Sequence, residues 1–394
     1  MRLPLSHNRP HHSYSESRKN AYICSNKTST EPMDTRRNYF QPLASLQLFA
    51  IIAVLMGHLW VDDANMMNSL CVSFCFVYSG FFTAMLHRFD NSYGLKDHAR
   101  FMWNKLAKLY PLFVLSLIIN YVSMVVWDGI IGLSPSVLLG HLTMLNTWIP
   151  DSHYYFGYNA VAWFVCDLFF LYLMAPLVVR LLRRLAIAWQ VVMLIALLIL
   201  ELVGGYTHDL QSESKFLSFY HLYLFPPIRL LDFAAGIIIY NITTTAGWKR
   251  LQARLTPARS TCVEAAGVLL FAALYWIEKN YWFEHCFRAF CVHAPAVVAL
   301  FTPFVLTSNR PGLISRLLSM QPLPVLSQIG FEIYILQIVI FFLFKPLCVM
   351  AGVDQHPVLY FMVQNTILVI TAWLIHCYYV KPLDQRLKAL PKSF

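Results

Sequence analysis

Hydrophobic residues occupy ten long runs of the chain, and polar segments separate these runs. Most of the runs contain about twenty residues, the length that an α-helix needs to cross the roughly 30 Å hydrocarbon core of a bilayer. The pattern therefore predicts an all-α polytopic membrane protein with about ten transmembrane helices. The predicted spans are 43–60, 66–87, 107–127, 161–182, 186–203, 222–240, 261–278, 287–307, 325–344 and 357–380.

The composition also indicates a protein embedded in a membrane. Of the 394 residues, 58% are hydrophobic and only 13% are charged, and the mean hydropathy is +0.54. A soluble domain carries about 25% charged residues. The nine cysteines form no Cys-x-x-Cys pair and show no Cys/His ligand spacing, so the sequence predicts no metal site.

The positions of the positive charges predict the topology. The net charge is +10, and with a cytoplasmic N-terminus 25 of the 30 lysines and arginines fall on the inner side of the ten spans. This bias follows the positive-inside rule and predicts that both termini are cytoplasmic. Because the basic residues are spread along one membrane face as topology anchors, we predict membrane lipid as a partner and exclude nucleic acid.

The first 38 residues differ from the rest of the chain. They are rich in Ser, Asn, Arg and His and lack the apolar core of a signal peptide. We predict a disordered cytoplasmic tail at 1–38, and Met33 is a candidate for the true start of the protein. Residues 39–394 then form one ten-span membrane domain.

The predicted outer segment 128–160 contains no Lys or Arg and is rich in Trp, Tyr and Phe. Ser134 and Pro135 begin a helix there. The helical run that follows is too short to cross a membrane, so the segment lies in the interface or dips back into the protein. Aromatic faces that stack on sugar rings would suit an acceptor glycan. An aromatic belt at the membrane boundary explains the same residues, and the sequence leaves both interpretations open.

The first span contains a titratable side chain, His58, near its end. Such a group is costly inside a bilayer and is a functional-site hypothesis by default. Gln47 lies eleven residues earlier, which places it on nearly the same helix face, about 16 Å away along the axis. The alternative is an interfacial histidine that hydrogen-bonds to a neighbouring helix.

Three further groups of polar residues stand out. Lys105 and Lys108 share a helix face at the predicted cytoplasmic mouth of the third span, where they can bind a phosphorylated ligand or serve as plain topology anchors. Asp167 lies one turn after Trp163 inside an apolar helix and needs a partner.

Arg229 is the natural partner for Asp167, although Asp232 can also pair with that arginine. An ion pair there orients helices more readily than it performs chemistry. In the ninth predicted span, Glu332, Tyr334 and Gln337 interrupt a long apolar run. Tyr334 and Gln337 share one helix face and can supply hydrogen bonds within the bundle, whereas the sequence identifies no partner for Glu332.

Together these stretches resemble the membrane acyltransferase-3 family, the bacterial O-acyltransferases that modify cell-surface glycans. The resemblance covers about residues 40–385 and rests on several weak motifs in the family's order. The motifs are LASLQ with a later GH, FVYSGFF, Lys105-x-x-Lys108 before Pro111, AWFVCDLFFLYLMAP, RLLDFAAG and GFEIYILQ. The sequence departs from the family pattern at Ala44, Gln47 and Gln337, which replace an acid, an arginine and a histidine.

The resemblance implies an enzyme of the bacterial cytoplasmic membrane. It would move an acyl group, most simply acetyl, from cytoplasmic acyl-CoA to a hydroxyl of an extracytoplasmic glycan. His58 takes the place of the family's histidine and would act as general base. Lys105 and Lys108 take the place of an arginine pair that serves acyl-CoA, and Gln47 would lie along the donor.

The remaining site residues that this interpretation implies are supporting groups. Tyr334 and Gln337 would lie near the donor or the developing oxyanion, and Trp163, Asp167 and Arg229 would support the substrates. Two alternatives remain open: a transporter or flippase for a glycan or lipid-linked sugar, and a regulatory membrane protein derived from an inactive acyltransferase. The transporter alternative lacks the internal repeat and the paired broken helices that are typical of transporters.

Overall fold

The computed structural model describes residues 40–59, 65–129, 134–211, 220–277 and 293–389. The predicted tail at 1–38, with Met33, lies outside the described residues. Every regular element in the described ranges is helical. The helices of the first half are α1 (Gln41–Leu59), α2 (Asn65–Leu86), α3 (Leu95–Asp128), α4 (Pro135–Leu142), α5 (Ser152–Tyr155), α6 (Trp163–Arg184) and α7 (Ile187–Gln211).

The second half continues in the same way. Its helices are α8 (Pro226–Thr243), α9 (Ala246–Ala253), α10 (Pro257–Ile277), α11 (Ala294–Leu306), α12 (Leu313–Leu318), α13 (Leu323–Leu326), α14 (Gly330–Met350), α15 (Pro357–Ile375) and α16 (Lys381–Ala389). Short 3₁₀ turns lie at Asn146–Trp148, Ser327–Ile329 and Val353–Gln355, and π-helical turns lie at Tyr220–Leu224 and His376–Val380.

The apolar helices confirm an all-helical polytopic membrane architecture. Within the described residues, eight helical runs are long and apolar enough to cross a membrane, and Ile187–Leu200 and Ala294–Leu306 form two shorter apolar helices. All ten predicted spans overlap these helices, although the first residues of the predicted span 287–307 are not described. The third span differs most from its prediction, because α3 begins at Leu95 rather than at 107. Lys105 and Lys108 therefore lie on one helix, as the sequence predicted, but well inside it rather than at its start.

Helices α2 and α8 cross in direct backbone contact. A Cβ atom on Gly80 would overlap the carbonyl oxygen of Phe233, and one on Gly236 would overlap the carbonyl oxygen of Val77. Small residues at such a crossing let two apolar helices approach closely where lipid removes the hydrophobic driving force between them. The two glycines therefore fix the position of α8 against α2, the most deeply buried of the apolar spans.

Helices α1 and α14 run side by side in the same direction. Ile51 of α1 lies against Gly330 at the start of α14, and seven residues later on both helices His58 lies against Gln337. Gln337 is near the midpoint of the long apolar run Leu323–Met350. Helix α1 therefore ends beside the middle of this apolar run.

The aromatic segment between α3 and α6 dips into the protein. His141, Asn146 and Asn159 are almost completely buried. The amide of Asn159 donates to the carbonyl oxygen of Ile335 in the middle of the Leu323–Met350 run, at 2.9 Å. Burial lowers the pKa of His141 to about 4, so this imidazole is neutral at pH 7. The sequence left two positions open for this segment, the membrane interface and the interior of the protein. In the structure the segment lies in the interior.

Glu264 of α10 holds the start of α12. Its carboxylate accepts hydrogen bonds from the backbone N–H groups of Gly312 and Ser315 and from the Ser315 hydroxyl, at 2.6–3.0 Å. A carboxylate in this position accepts hydrogen bonds from backbone N–H groups that have no partner within the first helical turn. Its negative charge also interacts favourably with the helix dipole. Sequence reasoning did not identify this residue.

We expect Gly236→Ala to destabilise the folded protein by about 1–3 kcal/mol, because the added methyl group overpacks a backbone contact. Thermal unfolding of the purified protein in detergent measures the effect. Gly247→Ala is the matched control, since a Cβ at that glycine meets no other atom within 4 Å. Equal melting temperatures for the two variants would contradict the direct contact of α2 and α8.

Candidate functional site

His58 lies in the last turn of α1 and contacts α14. Its Nδ1 is 3.4 Å from Oε1 of Gln337. The Gln337 amide nitrogen donates to the carbonyl oxygen of Tyr334 at 2.9 Å, which turns Oε1 towards the imidazole. An amide oxygen accepts hydrogen bonds only, so this network assigns the proton to Nδ1 and the lone pair of the neutral imidazole to Nε2. Apart from its contact with Gln337, the His58 side chain is exposed at the surface of the protein.

The turn that carries His58 is enclosed by α2 on its other side. A Cβ on Gly57 would overlap the side-chain amide of Asn68, so that side chain would have to move to admit a larger residue. The Oδ1 atom of Asn68 is buried and has no hydrogen-bond partner among the described residues. Asn68 was not a predicted site residue, and only its position at the start of an apolar span could have indicated it.

Gln47, about three turns before His58, also faces α2. Its side chain hydrogen-bonds to the Cys75 thiol, and Cys75 in turn interacts with Tyr334. The structure therefore brings Gln47 to the same side of α1 as His58, as the helical spacing predicted.

Lys105 and Lys108 have different environments on α3. The Lys105 ammonium lies 4.1 Å from the centroid of the Tyr172 ring and 5.3 Å from that of Phe101, a cation–π arrangement that holds it against α6. The Tyr172 hydroxyl bonds to the side chain of Ser79 on α2. Lys108 is exposed. The two lysines are therefore neighbours on α3 in different environments, and of the two only Lys105 packs against the inside of the bundle.

Two other titratable groups surround Lys105. Burial and the nearby charge of Lys105 lower the pKa of His87 to about 4, so His87 adds no second positive charge at pH 7. Lys388 of α16 acts on Lys105 electrostatically, as Lys108 does. Lys388 was not a predicted site residue, because it lies 283 residues from Lys105 in the sequence.

Arg229 forms a buried ion pair at the start of α8. Its Nη1 atom lies 2.9 Å from Oδ2 of Asp232 and 3.3 Å from the Ser73 hydroxyl. Its Nε donates to the carbonyl oxygen of Tyr223 at 2.7 Å, and the guanidinium lies 4.5 Å from the centroid of that tyrosine ring. Of the two carboxylates that the sequence offered to Arg229, the direct partner is Asp232.

Asp167 has no cationic partner in direct contact among the described residues. Its carboxyl group is fully buried, and its hydrogen-bonding neighbour is the side chain of Thr147. Arg229 acts on this carboxyl electrostatically. The predicted pairing with Arg229 is therefore wrong as a direct salt bridge, because Asp232 is on the same helix and one turn away from the arginine.

Aromatic contacts connect these groups to the His58 turn. The Tyr334 hydroxyl donates to the carbonyl oxygen of Val161 at 3.3 Å, and the Tyr334 ring lies 5.0 Å from that of Phe164. Trp163 packs on Tyr223, with 4.9 Å between ring centroids. Tyr334 is one helical turn before Gln337, so the structure brings His58, Gln337, Tyr334, Trp163, Asp167 and Arg229 into one continuous cluster.

Glu332 has a partner that the sequence did not identify. Its Oε1 atom lies 2.6 Å from Nδ1 of His376 in the π-helical turn after α15. This pair lies on the side of Tyr334 away from His58. It joins α14 to the π-helical turn that follows α15.

Helix α2 connects the two groups of site residues. Ser69 and Ser73 contact Tyr223 and Arg229, whereas Ser79 contacts Tyr172 beside Lys105. Ten residues of α-helix span about 15 Å, so Lys105 and the His58 cluster lie at different levels of the same helix.

Comparison with known proteins indicates the class of chemistry. A family model described as "Acyltransferase domain" matches residues 43–377. "Acyltransferase MdmB" of Streptomyces mycarofaciens is 26% identical over 239 residues, which is 52% of this chain and 58% of that protein. The chain thus spans less than two thirds of the length of this relative. No solved structure matches. Helix α16, with Lys388, lies beyond the matched residues.

We expect Asp232→Ala to destabilise the protein by about 3–5 kcal/mol, because it leaves the buried Arg229 charge without a counter-ion. Asp384→Ala removes the partner of Lys388 in an exposed pair of similar N–O distance, 2.7 Å, and should cost less than about 1 kcal/mol. Thermal unfolding in detergent compares the two variants. If Asp232→Ala is as stable as Asp384→Ala, the ion pair does not hold α8 in place.

Proposed function

Since the chain belongs to the acyltransferase 3 family of membrane acyltransferases, we propose that it transfers an acyl group, most simply acetyl, from cytoplasmic acyl-CoA to a hydroxyl of an extracytoplasmic glycan. The observation that carries the proposal is the imidazole of His58. Gln337 orients it through Nδ1, and Nε2 is free to accept a proton. A general base needs this combination of a fixed ring and an available lone pair.

In the proposed reaction, Nε2 of His58 takes the proton of the acceptor hydroxyl while its oxygen attacks the thioester carbonyl carbon. The carbon–sulfur bond then breaks, and the departing thiolate takes the proton back from the imidazolium. The products are the acyl ester and free CoA. General base catalysis of this kind typically contributes about 10²–10⁴ in rate.

The supporting residues take positioning roles. Both polar atoms of the Gln337 amide are already engaged, with His58 and with the Tyr334 carbonyl, so Gln337 positions the base rather than the oxyanion. The Tyr334 hydroxyl bonds to Val161 and supports the start of α6. Gln47 contacts Cys75 of α2, between the His58 group and the Lys105 group. This position would suit the acyl-bearing arm of the donor.

The donor's phosphates would bind at Lys105 and Lys108. The positive-inside rule places this end of α3, together with both chain termini, in the cytoplasm, where acyl-CoA is made. Lys105 is oriented by Tyr172 towards α2, and Lys108 is exposed at the surface. Helix α2 then runs from the donor's phosphate end to His58. The membrane in this proposal is the bacterial cytoplasmic membrane.

We expect His58→Ala to reduce acyl transfer at least about 100-fold, because the general base is lost. The assay measures [14C]acetyl transfer from acetyl-CoA to surface glycan in proteoliposomes. His356→Ala is the matched control, since His356 is an exposed histidine at the start of α15. Full activity of the His58→Ala variant would show that His58 is not the general base. Movement of glycan across the liposome membrane without acetyl-CoA would instead favour a transporter.

We expect Lys105→Ala to raise the KM for acetyl-CoA about tenfold. A charge-assisted hydrogen bond to phosphate contributes about 1.5–3 kcal/mol, and salt screens part of this interaction energy near the surface. Lys96→Ala, an exposed lysine near the start of the same helix, is the control and should leave KM unchanged. Steady-state kinetics at two salt concentrations measures both variants. An equal KM for the two would identify Lys105 as a topology anchor only.

A further inference from the structure

Helix α16 is a short polar helix that follows the last apolar span and lies beyond the residues that the family model matches. It has Asp384 in its first turn and Arg386 and Lys388 in its last turn, an order of charges that complements the helix dipole. Asp384 and Lys388 are four residues apart and can therefore pair on one helix face. The pair forms, with 2.7 Å between Nζ of Lys388 and Oδ2 of Asp384.

Two hydrogen bonds hold α16 and the π-helical turn before it against α3. The indole N–H of Trp103 donates to the carbonyl oxygen of Leu387 at 2.9 Å. The Tyr379 hydroxyl donates to the carbonyl oxygen of Pro111 at 3.3 Å. The Leu387 carbonyl is in the last turn of α16, where carbonyl groups have no partner within the helix, so the indole satisfies one of them.

These two hydrogen bonds define how α16 lies along α3. The bonded residues are eight positions apart on α3 and eight positions apart on the second segment, in the opposite order. The two segments therefore run antiparallel, and Lys388 lies within about one helical turn of Lys105 along the axis of α3. Lys388 and Lys105 also interact electrostatically, so their charges are near each other in the fold.

Three lysine charges therefore meet at one end of α3. Lys105 and Lys108 come from α3, and Lys388 comes from α16. The carboxylate of Asp384 offsets one of these charges. Like charges at this separation repel one another, and a bound anion relieves the repulsion.

The proposed donor carries its negative charge in two places. Acyl-CoA has a diphosphate and, on its ribose, a separate phosphate monoester. Two lysines on one helix can serve one of these groups, whereas the other group needs a cation from a different element. A phosphate oxygen accepts hydrogen bonds as a carboxylate oxygen does, so it can replace Asp384 on the ammonium group of Lys388.

We propose that Lys388 is a third phosphate-binding residue of the acyl-CoA site, and that Asp384 competes with the donor for its ammonium group. This inference rests on the proposed function, because it adds a residue to the donor end of the same site. Removal of the Asp384 charge should then strengthen donor binding. Loss of a merely structural contact would have the opposite effect.

The test measures binding of CoA to the purified protein in detergent by isothermal titration calorimetry, without an acceptor. The variants are Lys388→Ala and Asp384→Asn. Arg386→Ala is the matched control, because it removes the same charge from an exposed position of α16, and two residues of helix turn its side chain about 200° from that of Lys388. Steady-state kinetics with acetyl-CoA and with S-acetylpantetheine, which has no phosphate group, is the second measurement.

We expect Lys388→Ala to raise the Kd for CoA about three- to fivefold and Asp384→Asn to lower it about twofold, within the range of surface ion pairs. Arg386→Ala should leave the Kd near the wild-type value, and added salt should reduce the effect of Lys388→Ala. The KM for acetyl-CoA should change in the same direction as the Kd. The KM for S-acetylpantetheine should be the same for all of these proteins.

An unchanged Kd in Lys388→Ala would overturn the assignment, and so would an equal rise in Arg386→Ala, which indicates an effect of general surface charge. A higher Kd in Asp384→Asn would also overturn it, since the ion pair would then have a structural role. If the wild-type protein binds CoA but transfers no acyl group, the proposed function fails and the comparison of Kd values still decides the role of Lys388. A wild-type protein that binds no CoA would overturn both.

Discussion

The backbone contact between α2 and α8 is the constraint on which the candidate site depends. Gly80 and Gly236 leave no room for a side chain between the helices, so α8 has one position against α2. Arg229 is two turns before Gly236 and is thereby placed against Ser73 and Tyr223. Without that contact, the buried arginine would lose the partners that make its burial tolerable, because an uncompensated buried charge is strongly destabilising.

Helix α2 then organises the rest of the site around this contact. At one end, Asn68 packs on Gly57 and encloses the turn that carries His58. In the middle, Cys75 contacts Gln47, and Ser73 contacts Arg229. Towards the other end, Ser79 bonds to Tyr172, on which Lys105 lies. One buried helix therefore relates the proposed base to the proposed donor-binding lysine, which are far apart in sequence.

The helices were predictable from the sequence because the hydrophobic runs are long, uninterrupted and near the length of a membrane span. The start of α3 was not, because Lys96, Arg100 and Lys105 interrupt the apolar pattern although the helix continues through them. Helical spacing also predicted that Gln47 and His58 share a face. It gave no information on depth, since the level of His58 depends on how α1 packs beside α14.

The partners of the polar residues were mostly beyond the reach of sequence reasoning. Gln337 lies 279 residues from His58, and His376 lies 44 residues from Glu332, so no periodicity relates either pair. The sequence offered Arg229 two carboxylates, Asp167 and Asp232, and only the folded structure shows that Asp232 is its partner. Glu264 and Thr147 went unnoticed, because a single polar residue in a moderately apolar segment has no distinguishing pattern. The resemblance to an acyltransferase family, by contrast, was available from short motifs in order, and the family match over residues 43–377 confirms it.

In the proposed mechanism, a donor bound at Lys105 delivers its thioester along α2 to His58. An acyl-CoA analogue with a diazirine at the end of its acyl chain reports this path, with the crosslinked peptides identified by mass spectrometry. We expect labelling on the last turn of α1 and the first turns of α2, near His58 and Asn68, and competition by acetyl-CoA. Competed labelling on α10, which is mostly unburied in the bundle, or on no helix of this cluster would contradict it.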